Sequence, residues 1–400
     1  MFQSSRLASQ IAEQHHDSLR VLISGAGVAG TTLAGLLRKQ GLHPVVIERS
    51  EPDASEGYML ALLPLVTPVL ERLGIRDAYH ARSQAFDQYV LHGRHGQRIG
   101  QYSMTDLLGA YGDYRGIDRG SLLDVLTGAG LPVAFATTIA GMQETGSAVD
   151  VVFAAPEGPA TGTFDLVVIA EGLHSSTRRM ILPDAQVETV DTGWGGWIAW
   201  IDADPEHPGQ GEEFWGAGCF AGMYPVKDRT GVIVCGNRED TAAGTGDFVC
   251  FVRQQLGGRS SRCDQALDAV EHASSPYFWK LTDSRSARWT TQRTVLLGDA
   301  AAGFLPTAGV GAAMAMEAAG VLAAHLDGIG PDAIATAIAT FEQHQKPRTE
   351  AAQTNSRQLA RLMFHRSPAL AVVRDLAIRF VPLRVALGPI RKLHTQAPEF

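Results

Sequence analysis

The 400-residue chain is 45% hydrophobic and 19% charged, enough apolar material for the cores of two or three domains and not the composition of a disordered or fibrous protein. A net charge of -8 without a basic block argues against a nucleic-acid partner, since neutralising phosphates takes concentrated Lys and Arg. Cys219, Cys235, Cys250 and Cys263 form no CxxC pair and have no histidine at ligand spacing, so neither a metal site nor a disulfide framework is indicated.

The opening stretch lacks the apolar centre of a signal peptide, and no segment offers ~18 uncharged apolar residues for a membrane span. A cytoplasmic protein is expected. From Leu19 the pattern is clear: Val21, Leu22 and Ile23 make a short buried strand, Gly25, Gly27 and Gly30 give GxGxxG, and a helix follows to about Gln40. Val45 to Ile47 is a second strand that ends on Glu48. In such a unit the first glycine permits the tight turn, the second admits a pyrophosphate to the backbone, and the third lets helix pack on strand. Glu48 stands where a carboxylate binds both ribose hydroxyls of an adenosine, and its charge opposes a 2′-phosphate. The expected nucleotide is FAD or NAD rather than NADP.

Leu65 to Leu73 reads as helix and Gln88 to Tyr102 as a hairpin turned around Gly93 to Gly96. Ile117 to Leu126 reads as a helix with Arg119 at its start, where a basic residue opposes the dipole unless an anion holds it there. Val133 to Ala136 is a candidate parallel strand and Val149 to Phe153 part of a meander. Leu166 to Ile169 is a buried strand with Glu171-Gly172 at its end, and a helix is expected from about Ser175. Between Gln186 and Arg285 the helical crossovers give way to short, alternating, aromatic strands, as in an antiparallel sheet; Trp194, Trp197, Trp200, Trp215, Phe220 and Tyr224 fall here. Val295 to Leu326 is a strand, Gly298-Asp299, a loop of small residues, and an alanine-rich helix opened by Gly309 and Gly311. A helix start without bulk suits a planar anion that must approach the backbone. Ile334 to Lys346 reads as a further helix, and the tail from Pro347 as helical pieces broken at Pro368, Pro382 and Pro389.

GAGVAG with Glu48, AEGLHSSTRR and GDAAAGFLPTAGVGAAMAMEAA stand in the order found in group A flavoprotein monooxygenases, and from residue 20 to 326 the chain resembles that family, of the para-hydroxybenzoate hydroxylase and tetracycline-inactivating monooxygenase type. The resemblance implies an α/β fold in which a Rossmann-like FAD-binding domain (1–75, 111–185 and 286–346) is interleaved with an antiparallel β-sheet substrate domain (76–110 and 186–285), followed by C-terminal helices (347–400). It implies that Gly25, Gly27 and Gly30 cradle the FAD pyrophosphate and Glu48 the ribose, with Ala29 and Arg49 also binding the cofactor. Arg119 would contact FAD, Asp299 the ribityl chain, and Gly311, Ala312 and Ala313 the pyrimidine edge of the flavin. Trp215, Tyr224 and Pro306 are the candidate substrate walls. The implied activity is hydroxylation of an aromatic or polycyclic small molecule with NADH or NADPH and molecular oxygen, through a flavin C4a-hydroperoxide. A flavin-dependent halogenase and a binding protein without redox turnover are the alternatives. The chain departs from the family at Glu171 (usually Asp), Ala302 (usually His) and Ala313 (often Asn); the first puts the handling of pyrophosphate or nicotinamide in doubt. Tyr89, His92 and Tyr224 are candidate acid–base groups, and spacing alone assigns none of them.

Overall fold

The computed structural model describes residues 2–52, 57–128, 130–242, 244–256, 260–274, 276–380 and 388–398. Four strands in which every residue is buried, Thr294–Leu296, Leu166–Ile169, Val21–Ser24 and Val45–Ile47, lie in that order in one parallel sheet. Unbroken apolar runs are what a sheet covered on both faces requires. The helices Val28–Lys39 and Gly311–Leu326 pack together in this core. Val149, Val151 and Phe153, alternate residues of a three-stranded meander, join the same core. The strand expected at Val133 to Ala136 is shorter: Pro132–Val133 pairs with Gln3–Ser4, and Ala134 makes a single parallel bridge to Ile47.

A second, eight-stranded sheet has the order Ala302–Gly303, Tyr277–Ser286, Val187–Asp202, Arg229–Asn237, Cys219–Val226, Gln210–Trp215, Gln88–His92 and Arg98–Ser103. Its pairs are antiparallel except for Gln210–Trp215 with Gln88–His92. Period-two alternation divides its faces. Phe214, Ala221, Met223, Val232 and Val234 pack against the helices Thr245–Leu256 and Ser261–Glu271. Glu213, Trp215, Phe220, Tyr224, Ile233 and Cys235 point the other way, into a cavity. Those two helices correct the all-strand reading of 186–285: Phe248, Val249, Val252 and Leu256 form a buried stripe at helical spacing.

The helix that begins at Ile334 runs through Pro347 to Met363, past the point where the sequence pattern ends it. Its far half crosses to the second sheet, where Arg357 donates to both oxygens of the buried Asp283 at 2.8 and 2.9 Å. Helices Pro368–Phe380 and Gly388–Thr395 follow. The break expected at Pro382 lies outside the described residues. Among those residues no helix is long and apolar enough to cross a membrane.

Candidate active site

The glycine loop leaves the strand Val21–Ser24 so tightly that Gly25 adopts φ 109°, and a Cβ there would lie 2.4 Å from the carbonyl oxygen of Ala170. Gly30 is closed in as well, since its Cβ would lie 2.0 Å from the Gly25 carbonyl oxygen. Gly27 is different. It caps the helix Val28–Lys39 with ordinary extended φ, and nothing lies within 4 Å of the position its Cβ would take. Two glycines therefore hold strand and helix together while the third keeps the backbone open at a helix N-terminus, the cradle a diphosphate needs. Glu48, at the end of Val45–Ile47, accepts the Ala26 N–H at 2.9 Å and the Ser50 N–H at 3.0 Å, which fixes its carboxylate beside that cradle.

A cavity of about 850 Å³ extends from this loop to the eight-stranded sheet. Gly25, Gly27, Ala29, Glu48, Arg49, Arg119, Asp299, Gly311 and Ala312 line it together with Trp215, Tyr224 and Pro306. Gly30 and Ala313 do not; both are buried behind the wall. Asp299 is open to the cavity from the turn after Thr294–Leu296, and the protein around the cavity shields it from bulk water and pushes its pKa up to about 6. Arg119 opens the helix Arg119–Leu126, whose cap Asp118 accepts the Ser121 N–H at 2.9 Å, and its own N–H donates to the Tyr58 carbonyl at 2.9 Å. The first turn of Gly311–Leu326, where N–H groups lack intrahelical acceptors, meets the cavity at Gly311 and Ala312. Thr307, in the turn that Pro306 opens, donates to the Ser356 carbonyl at 2.8 Å and so moors the turn to the long helix.

Glu171 is half-buried at the cavity wall, with its carboxylate engaged by the chain itself. It accepts from Ser24 Oγ at 2.6 Å, Ser175 Oγ at 2.7 Å, Thr177 Oγ1 at 2.5 Å and the Thr177 N–H at 3.1 Å, closing its loop onto the first strand. The expected helix from Ser175 is accordingly a turn followed by one short helix, Arg178–Ile181. Ala302 is buried in a strand paired with Tyr277–Ser286 and does not reach the cavity.

At the sheet end of the cavity stands a group that the sequence reading did not single out. Glu213, 7% exposed, accepts Tyr89 Oη at 2.6 Å and Trp215 Nε1 at 2.7 Å on Oε2, and Tyr224 Oη at 2.6 Å on Oε1. Burial raises the pKa of Glu213, and burial beside that carboxylate raises both tyrosines well above the usual phenol value. The available signal was an acidic residue two positions before Trp215 on a strand, hence on the same inward face. His92 lies on the opposite face, stacked on Phe214 with ring centroids 4.1 Å apart, away from the tyrosines. Of the other indoles, Trp194 stacks on Phe364 at 4.6 Å, Trp197 donates to the Thr241 carbonyl at 3.2 Å and Trp200 carries the Arg229 guanidinium at 3.8 Å.

A family model described as FAD binding domain matches residues 18–356. The chain belongs to this family. It is a flavin-dependent monooxygenase, as are curated relatives that match nearly its whole length. The 3-amino-4-hydroxybenzoate 2-monooxygenase of Streptomyces cremeus is 31% identical over 357 residues, 86% of this chain and 87% of that protein. Ubiquinone hydroxylase UbiL of Rhodospirillum rubrum is 27% identical over 391 residues, 93% and 87% of the two chains. Among solved structures, Klebsiella pneumoniae HpxO complexed with FAD and uric acid superposes with a TM-score of 0.84 at 19% identity, covering 96% of the monooxygenase chain and 98% of its own. At that identity the likeness is one of fold. The open backbone at Gly27, the fixed Glu48 carboxylate and the bare helix start at Gly311 fit the FAD that the family binds.

Proposed function

We propose that this monooxygenase uses NADH or NADPH and molecular oxygen to hydroxylate a small aromatic or polycyclic compound held between the Gly311 helix start and the aromatic sheet face. The observation that carries this is one cavity lined at one end by the glycine loop and Glu48 and at the other by Tyr89, Trp215, Phe220 and Tyr224. Bound FAD supplies the redox chemistry, hydride acceptance from the nicotinamide and activation of oxygen, which side chains cannot provide.

The chain's own residues bind, orient and shield. In this reading the Gly27 backbone and the N-terminus of Val28–Lys39 hold the pyrophosphate, Glu48 the ribose, Asp299 the ribityl chain, and Arg119 adds positive charge at the cofactor. The first turn of Gly311–Leu326 favours negative charge beside it. Trp215, Tyr224 and Phe220 form a substrate wall, and Pro306 and Thr307 line the same cavity. Enclosure excludes bulk water, which limits unproductive loss of reducing equivalents. The four unpaired cysteines agree with a reducing, cytoplasmic setting.

The test is a panel of aromatic and polycyclic compounds added to the yellow protein. A true substrate accelerates both NAD(P)H oxidation and oxygen uptake and gains one oxygen atom. Equal acceleration without any oxygenated product would leave the protein a flavin oxidase of nicotinamide and overturn the proposal.

A further inference from the structure

We propose that Tyr89 and Tyr224, held as donors to Glu213, present only acceptor lone pairs to the sheet end of the cavity and so select aromatic ligands carrying a hydroxyl or N–H there and reject those presenting a carboxylate or carbonyl. This names the substrate class of the site described above and rests on the hydroxylase reading.

The indole N–H of Trp215 can only donate, so Glu213 Oε2 must accept from it at 2.7 Å. Tyr89 shares that oxygen at 2.6 Å and Tyr224 takes the other at 2.6 Å. No ion pair to Glu213 is found among the described residues, and its two oxygens are met by three neutral donors. A phenol hydroxyl has one proton. Once it is committed to Glu213, each tyrosine oxygen has only lone pairs left for the cavity that both residues line. A ligand hydroxyl or N–H completes those oxygens. A ligand carboxylate would face lone pairs backed by the Glu213 carboxylate, while Arg374, which also lines the cavity, is already paired with Asp375 and donates to the Trp215 and Gly216 carbonyls, so the polar atoms on both sides would be stranded away from water. Sites built to hydrogen-bond one group discriminate strongly against analogues that leave them unpaired.

The experiment uses the FAD-loaded protein and two probes on the same bicyclic ring, 2-naphthol and 2-naphthoate, titrated by the change in flavin absorbance. The wild type should bind 2-naphthol at least about tenfold more tightly, the worth of one hydrogen bond at a desolvated site. In Glu213→Gln the amide nitrogen must donate, which turns the Tyr224 proton into the cavity; the preference should fall by about tenfold or reverse. Tyr89→Phe and Tyr224→Phe keep the carboxylate and should weaken 2-naphthol several-fold while leaving 2-naphthoate nearly unchanged, and they decide the matter if the glutamine variant does not hold FAD. Equal affinities in the wild type, or a preference unmoved in the variants, overturns the selectivity and leaves the hydroxylase reading standing. Selective 2-naphthol binding in a protein whose NAD(P)H and oxygen consumption no aromatic compound stimulates supports the selectivity and sinks the hydroxylase reading instead.

Discussion

Gly27 and Gly30 lie one helical turn apart in the same motif, yet their surroundings demand opposite outcomes on substitution. Gly27 has φ −75° and empty space around its Cβ position, so Gly27→Val should fold with about the melting temperature of the flavin-free wild type and elute from gel filtration without FAD. Gly30 has a carbonyl oxygen 2.0 Å from its Cβ position, so Gly30→Val must push helix from strand and should lower the melting temperature even of the flavin-free protein. Asp299 gives a prediction in pH. Enclosure raises its pKa from 3.8 to about 6, so the folded, flavin-free protein retains a proton that the unfolded chain releases. The stabilisation from that proton is complete below the unfolded value and is lost as pH rises through the folded one. Thermal unfolding of the flavin-free protein should therefore show wild type losing stability relative to Asp299→Asn across that window, with a constant difference above it. A difference independent of pH would contradict the assignment.

Among the elements, the helix Gly311–Leu326 is apolar except for His325 in its last turn and Glu317, which is 1% exposed. Arg348, one residue after Pro347, donates to its two oxygens at 2.7 and 2.8 Å, and Gln345 adds a third hydrogen bond at 3.0 Å. This pairing joins the long helix to the cofactor-side core. Arg348→Ala strands a buried charge and should cost about 3 kcal/mol, whereas the double variant Glu317→Leu with Arg348→Leu should recover much of that loss in denaturant titration. Full loss in the double variant would show that packing, not charge, is what the pair supplies.

The same elements show what the sequence could and could not tell. Unbroken apolar strands, the glycine loop and the small-residue helix start are local patterns, and each was legible from the residues themselves. The role of Glu317 was not, because its partner lies 31 residues away on a helix whose proline suggests a break. Glu213 was hidden for the same reason: Tyr89, one of the groups that define it, is 124 residues distant. The hydrogen bonds that Glu171 accepts from Ser24, Ser175 and Thr177 were likewise out of reach of the sequence, since they form only where the two strand ends lie side by side. The helices Thr245–Leu256 and Ser261–Glu271 did carry a readable amphipathic stripe, overshadowed by the aromatic strands before them.

Over the whole molecule, two sheets with different chemistry share one cavity. The parallel sheet supplies backbone and carboxylates suited to a dinucleotide, the larger sheet supplies an aromatic wall with one buried acid, and the helix Ile334–Met363 ties them through Ser356 and Arg357. Arg357→Ala should leave FAD content unchanged but loosen the sheet end, raising the substrate KM more than it lowers kcat and increasing NAD(P)H consumption without product. The central claim is that oxygen activated beside the Gly311 helix start is inserted into a ring held against the aromatic sheet face. Its most direct test is turnover of an aromatic substrate under isotopically heavy dioxygen, with the product read by mass spectrometry. One labelled oxygen atom in the ring is the expected result; NAD(P)H-dependent consumption of labelled dioxygen that yields labelled peroxide alone, with no labelled product from any aromatic compound, would contradict it.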